Sequence, residues 1–272
     1  MISDKFEEQI FFTTTRITIP SETGNGEAIG TGFILNAPLN DPEGRSVTLL
    51  ISNKHVFVNP LGSIAFNFNH KTKTGNPDFG NIHTFSGKDF SALYTEHPDA
   101  GIDLACINAS IITQPEHNVF YKNLTHDMLS DFNEDQLMPG LDVWFVGYPE
   151  NRFDVTNNLP LLRRGYIASY PKVDFNSRKL FVIDAQVFQG SSGSPVFAPI
   201  GGHFKLIGIV TETMIKHGQL QAIPTLHANV GVQQILGLGL VIKATALKEL
   251  IDLAVNKLKA SLKIYDEPTN EK

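Results

Sequence analysis

Cysteine is almost absent from this 272-residue chain. The single thiol, Cys106, has no partner within the chain, so a framework of intrachain disulfides is excluded. Basic clusters are missing as well. The 22 Lys and Arg stand against 28 Asp and Glu for a net charge of −6, and no stripe of cations interleaved with aromatics offers the footprint of a nucleic-acid binder. No apolar run approaches the roughly 18 residues a membrane-spanning helix needs. The opening MISDKFEEQIFF lacks the basic start and long apolar stretch of a secretory signal. Neither a nucleic-acid nor a membrane partner is expected, and the cytoplasm is the expected compartment. The nine histidines are scattered, and none forms the H-x-x-x-H pair with a nearby Glu that a metal hydrolase would use. No metal and no cofactor is therefore expected. What is present is ordinary globular material, 42% hydrophobic and 18% charged, with enough apolar residues for a sizeable core.

The first half reads as short strands separated by turns: residues 11–19, 29–36, 47–52 and 103–108, with period-2 alternation around Ile64, Phe66 and Phe68. Residues 71–88 carry Gly, Pro, Asn and Asp and read as a loop. Periodicity fades over 114–140, where part of 124–137 is expected to be helical until Pro139 and Gly140 break it. Strands resume at 141–148, 161–170, 179–187, 195–198, 206–211 and 239–242. Many short strands at such regular spacing point to an all-β barrel or sandwich. At the end, Leu247, Leu250, Ile251, Ala254 and Leu258 share one face of a helix whose charges lie elsewhere. The chain divides into a β lobe over 6–113, a connection over 114–140, a second β lobe over 141–243 and a helix over 244–262.

The stretch VFQGSSGSPVF, residues 187–197, carries the most chemistry. Two glycines bracketing paired serines make a tight turn that lifts a hydroxyl off the backbone and leaves peptide N–H groups unpaired beside it. Acyl transfer needs that combination of nucleophile and oxyanion donors. A Gly/Ser hairpin loop between two strands would read the same way. A nucleophilic serine also needs a base and a group to orient that base. His55 follows an apolar strand in LLISNKHVF, and Asp103 opens one in GIDLACI, where its carboxylate would need a hydrogen-bonding partner such as a His Nδ1–H. Asp99 in HPDAGID is a rival to Asp103, and Ser191 is a rival to Ser192. An α/β-hydrolase elbow, G-x-S-x-G, fails at Ser194.

In order and context these elements resemble a trypsin-like (chymotrypsin-fold) serine peptidase, of the bacterial kind that includes the HtrA-like and glutamyl-endopeptidase-like branches. ISNKHV, IDLACI and GSSGSP are similar to that family's His, Asp and Ser motifs, spaced 48 and 89 residues apart. IGTGFIL, VWFVGYP, KLIGIVTET and GLGLVIKATALKEL extend the likeness over roughly residues 25–255. The resemblance implies an all-β fold of two six-stranded antiparallel barrels with a C-terminal α-helix. It implies an endopeptidase in which Ser192 attacks, His55 transfers the proton and Asp103 orients the imidazole, with the N–H groups of Gly190 and Ser192 as the oxyanion hole. By motif position Gln186 lies at the base of the substrate pocket, Gln189 at its rim, and Thr211, Glu212 and Thr213 along its wall. No Asp marks the base, and Val210 stands where the glutamyl-specific branch has a His, so an uncharged residue before the scissile bond is expected. Ser191 replaces the family's Asp or Asn, which argues against zymogen activation through a new N-terminus. A protein or peptide substrate is the expected partner. The alternative is a silent or partner-activated scaffold that binds proteins, and a regulatory protein is then a second partner.

Overall fold

The computed structural model describes residue 2 and residues 4–20, 27–219 and 231–263. The first lobe contains β1 (Thr14–Pro20), β2 (Glu27–Pro38), β3 (Ser46–Ser52), β4 (Ser63–Lys71), β5 (Pro77–Lys88), β6 (Tyr94–Glu96) and β7 (Ala105–Asn108). Two-residue strands follow, β8 (Val119–Phe120) and β9 (Leu124–Thr125). The second lobe contains β10 (Asp142–Gly147), β11 (Leu161–Ile167), β12 (Leu180–Asp184), β13 (Pro195–Ile200), β14 (His203–Gln219) and β15 (Gly231–Lys243). Single-turn helices α1 (Phe6–Gln9) and α2 (Lys54–Phe57) contrast with the long α3 (Ala244–Leu262). No helix among the described residues is long and apolar enough to cross a membrane.

The expected all-β fold with a terminal helix is present. β10 to β15 close into a six-stranded barrel in the order β10-β11-β12-β15-β14-β13. The first lobe differs from the expected six-stranded ring. It is one nine-stranded sheet in the order β5-β4-β1-β2-β3-β7-β6, with β8 added to β4 and β9 to β2. Residues 71–88, expected to be a loop, instead turn at Gly75 (φ +78°) and return as β5, paired with β4 from Lys71↔Pro77 to Ser63↔Lys88. β5 is an edge strand, so Pro77 at its start forfeits no ladder bond, and most of its side chains stay in water and leave no alternation to read. Of the helix expected within 124–137 only a single 3₁₀ turn, His126–Met128, forms. Ser130 Oγ accepts the Phe132 N–H (3.1 Å) and Asp131 Oδ1 the Asn133 N–H (2.9 Å), local bonds that compete with a helical ladder.

Strand alternation sorts the core into three. Ile34 and Leu50 point into the first lobe with Ile17, Phe57, Phe66 and Phe85. Val196 and Val241 point into the barrel with Phe145, Phe181 and Val210. Their neighbours point the other way: Phe33, Leu35, Leu49 and Ile51 meet Val146, Phe197 and Ile242 in a cluster that also takes Leu247, Leu250 and Ile251 of α3. Each of these strands is buried on both faces, which is why it reads as a continuous apolar run. α3 therefore cements both lobes, touching β2, β6 and β7 on one side and β14 and β15 on the other. Removing the Leu250 side chain, fully buried at this junction, leaves a cavity there. Leu250→Ala is expected to lower the unfolding free energy by about 2–5 kcal/mol in urea denaturation. Lys248→Ala on the exposed face of the same helix is expected to leave the midpoint unchanged.

Candidate active site

His55 lies in α2, immediately after β3. The buried Val56 and Phe57 anchor that turn in the first-lobe core and leave the imidazole half-exposed at the seam between lobes. Asp103 lies just ahead of β7. Its Oδ2 accepts from His55 Nδ1 at 2.6 Å, and its Oδ1 accepts the His55 backbone N–H at 3.1 Å. The carboxylate thus fixes the tautomer with the proton on Nδ1 and leaves Nε2 as a free acceptor. Asp103 takes a third donor from the other lobe, the Thr211 hydroxyl at 3.1 Å. Burial pushes the Asp103 carboxyl up, but the His55 hydrogen bonds and charge, with the Thr211 hydroxyl, outweigh it and hold the pKa below the ordinary 3.8. Asn53 Nδ2 adds a bond to the Asp103 carbonyl at 2.8 Å.

The rival carboxylate is occupied elsewhere. Asp99 Oδ1 accepts the Gly101 N–H at 2.8 Å and closes its own turn. That turn is moored by His97, whose Nδ1 accepts the Asp99 N–H at 3.0 Å and so carries its proton on Nε2. Nε2 sits 3.2 Å from Glu249 Oε2 of α3, a close approach without hydrogen-bond alignment.

Ser192 lies in the turn between β12 and β13. Its hydroxyl donates to the Thr211 carbonyl at 3.1 Å, and no hydrogen bond joins it to His55 among the described residues. Ser191 is buried, whereas Ser192 is half-buried, which leaves Ser192 as the accessible hydroxyl of the pair. Three carbonyls around it are tied. Gln189 O accepts from Glu150 N (2.6 Å), Ser191 O from Ser194 N (3.0 Å) and Ser192 O from Thr31 N (2.9 Å). A peptide's N–H points opposite its C=O, so tying Gln189 O and Ser191 O turns the N–H groups of Gly190 and Ser192 the other way, and neither meets an acceptor among the described residues. Gly190 and Gly193 both have φ of +87°. A Cβ at Gly193 would overlap the Thr31 carbonyl oxygen, and one at Gly190 the Tyr148 carbonyl oxygen, so both positions require glycine.

Thr211, expected only as pocket wall, does more. β14 and β15 slip register between Val210 and Glu212, leaving Thr211 as the extra residue of a bulge. The bulge aims its hydroxyl at Asp103 and its carbonyl at Ser192, a placement no sequence pattern announces. Thr213 Oγ1 donates to the Val187 carbonyl at 2.9 Å, and Glu212 is exposed, 3.6 Å from Arg178. Gln186 is exposed, and its carbonyl accepts from Arg163, whose guanidinium also lies 5.3 Å over the Phe188 ring. A cleft of about 450 Å³ opens beside the site, bounded by Asp103 and Thr211 on one side and Asp174 to Leu180 on the other. Gln189 and Gly190 line a second cleft, of about 360 Å³, with Ile29, Glu150 and Asn151. Among the described residues no three His, Cys, Asp or Glu side chains are disposed to hold a metal ion.

No curated protein matches the chain. Solved structures similar to it include a tobacco vein mottling virus protease, at 15% identity and a TM-score of 0.49 over 89% of this chain and 82% of that one. A catalytically inactive tobacco etch virus protease complexed with substrate is similar at 14% identity and a TM-score of 0.49, over 93% and 87%. The profile of the trypsin-like peptidase domain matches residues 30–209, well over half of the sequence, and spans all three motifs gathered at the seam. The chain belongs to the trypsin-like peptidases.

Proposed function

We propose that the protein is a serine endopeptidase that cleaves protein or peptide substrates through an acyl-enzyme intermediate. The observation that carries this reading is the oriented His55–Asp103 pair beside a serine whose loop leaves two peptide N–H groups open. Ser192 Oγ turns from the Thr211 carbonyl toward His55 Nε2 and gives that nitrogen its proton as the Oγ–C bond forms. The Gly190 and Ser192 N–H groups receive the carbonyl oxygen as it becomes an oxyanion. His55 then protonates the leaving amine as the C–N bond breaks, and water repeats the sequence to release the acid. Asp103 stays ionised throughout and stabilises the imidazolium. A cysteine nucleophile is disfavoured by the chain itself: Cys106 is its only thiol, 1% exposed in β7, with burial pushing its pKa up to about 12.

Within the family, the likeness of the ISNKHV, IDLACI and GSSGSP motifs supports kinship with the bacterial kind that includes the HtrA-like and glutamyl-endopeptidase-like branches. The tied carbonyls of the 189–192 turn favour an enzyme poised at rest over a scaffold awaiting a regulatory partner. By motif position Gln186 lies at the pocket base and Gln189 at its rim, so no carboxylate is expected at the base. Profiling cleavage of a peptide library is expected to show an uncharged residue before the scissile bond, and dominance of Lys, Arg or Glu there would overturn that assignment.

A fluorophosphonate probe is expected to label the purified protein and not Ser192→Ala, with hydrolysis by the variant lowered on the order of 10⁴-fold or more. Labelling of neither protein would favour the binding scaffold, and labelling of both would mean a different nucleophile. The depressed Asp103 pKa also fixes a pH dependence of stability. Its ionised form stabilises the fold above the unfolded value of 3.8, and that contribution is lost as pH falls through the lower folded value. The stability gap between wild type and Asp103→Asn, from urea unfolding, is expected to be full above about pH 5 and to narrow as pH falls past 3.8 and through the lower folded value. A gap independent of pH would contradict the assigned shift.

A further inference from the structure

We propose that Thr31 is a positioning residue whose hydroxyl sets the geometry of the oxyanion donors from the opposite lobe. The inference rests on the reading of Ser192 as nucleophile. β2 pairs with β3 only from Phe33↔Ile51 onward, so at Thr31 the β3-facing edge of β2 is vacant. The nucleophile loop of the second lobe fills it. Thr31 N–H donates to Ser192 O at 2.9 Å, and Thr31 O accepts the Ser52 hydroxyl at 2.6 Å.

The side chain completes the arrangement. Thr31 Oγ1 accepts the Tyr148 N–H at 3.1 Å and donates its one proton to the Gly190 carbonyl at 2.9 Å. Thr31 is fully buried, and a β-branched side chain has few χ1 alternatives in a strand, so the hydroxyl is held in one direction. The Gly190 carbonyl is the pivot between the two open N–H groups. Its neighbours Gln189 O and Ser191 O are tied within the second lobe, by Glu150 and Ser194. The peptide between them is bonded at both ends: its N–H, on Ser191, donates to Phe188 O at 3.0 Å within the turn, and among the described residues the Thr31 hydroxyl alone meets its carbonyl, at a glycine with φ of +87° and little torsional restraint of its own. Ser191 beside it offers no carboxylate to do this work: it is buried, and its hydroxyl lies 3.4 Å from the Phe188 N–H in its own turn. Thr31 holds the hole from outside the loop.

Thr31→Val preserves the shape and strands the Gly190 carbonyl and the Tyr148 N–H without partners, while Thr31→Ser keeps the hydroxyl. With the fluorophosphonate probe, Thr31→Val is expected to lower the maximal inactivation rate about tenfold or more, with the half-saturating probe concentration within about threefold of wild type. Thr31→Ser is expected to stay within about threefold on both measures. Inactivation of Thr31→Val at the wild-type rate, or equal loss in both variants, would overturn the proposal. Amide hydrogen exchange over residues 188–194 tests the same claim without chemistry: faster exchange is expected in Thr31→Val alone, and unchanged exchange overturns it. A wild-type protein that fails to label would refute the serine-peptidase reading, and the exchange comparison would still decide the role of Thr31.

Discussion

Where β3 stops pairing with β2, that edge of Thr31 is left without a strand, and the turn that carries Ser192 takes the place. This exchange of a sheet partner for a loop is the constraint on which the site depends. The apolar cluster that joins the lobes and α3 supplies adhesion, but burial of apolar surface has no direction and tolerates small slips. Hydrogen bonds at 2.9–3.1 Å between the lobes do not, since they weaken steeply with misalignment. The lobes are thus held together by one kind of force and held in register by another. His55 and Asp103 come from the first lobe and Ser192 and Thr211 from the second, so the groups of the candidate site meet only while both hold.

The cost of a partly buried carboxylate explains the polar dressing of that seam. Asp103 in an apolar setting would be expensive to keep ionised, and two oxygens receiving three donors reverse the balance. One of those donors crosses from the barrel, which makes the charge state of a first-lobe residue depend on the docking of the second. The turn ahead of Asp103 is fixed in the same spirit, with buried His97 spending its Nδ1 lone pair on the Asp99 N–H. α3 reaches both rims of the larger cleft through Glu249, which contacts His97 on one side and Lys179 on the other.

Much of this was legible in the residues. The face of α3 was written at helical spacing, and the strands buried on both sides were apolar runs too short for helices. The order of His55, Asp103 and the GSSGSP turn pointed to one chemistry, and the structure brings His55 and Asp103 into contact. Other features left no mark for physical reasons. β5 sits at a sheet edge with most side chains in water, so its glycines and Asn81 outweighed a periodicity that was not there. β8 and β9 have two residues each, too few for any period. The bulge at Thr211 changes where a side chain points without changing which residue it is. The proposed oxyanion donors are backbone, and a backbone N–H is the same at every position but proline. Thr31 lay inside a motif recognised for its glycines, and its hydroxyl gained meaning only once Gly190 and Tyr148 were beside it.

At rest Ser192 gives its only proton to the Thr211 carbonyl, not to the imidazole. The proposed reaction requires that side chain to turn toward His55, and side chains with access to solvent change rotamer in picoseconds to nanoseconds. Turnover in enzymes runs at about 1–10³ per second, so a rotation of that kind would add nothing measurable to the proposed cycle. Its consequence is one of occupancy. In the structure the hydroxyl rests on a neutral acceptor that cannot take its proton away, so under the proposed mechanism it becomes nucleophilic only on the other side of that torsion.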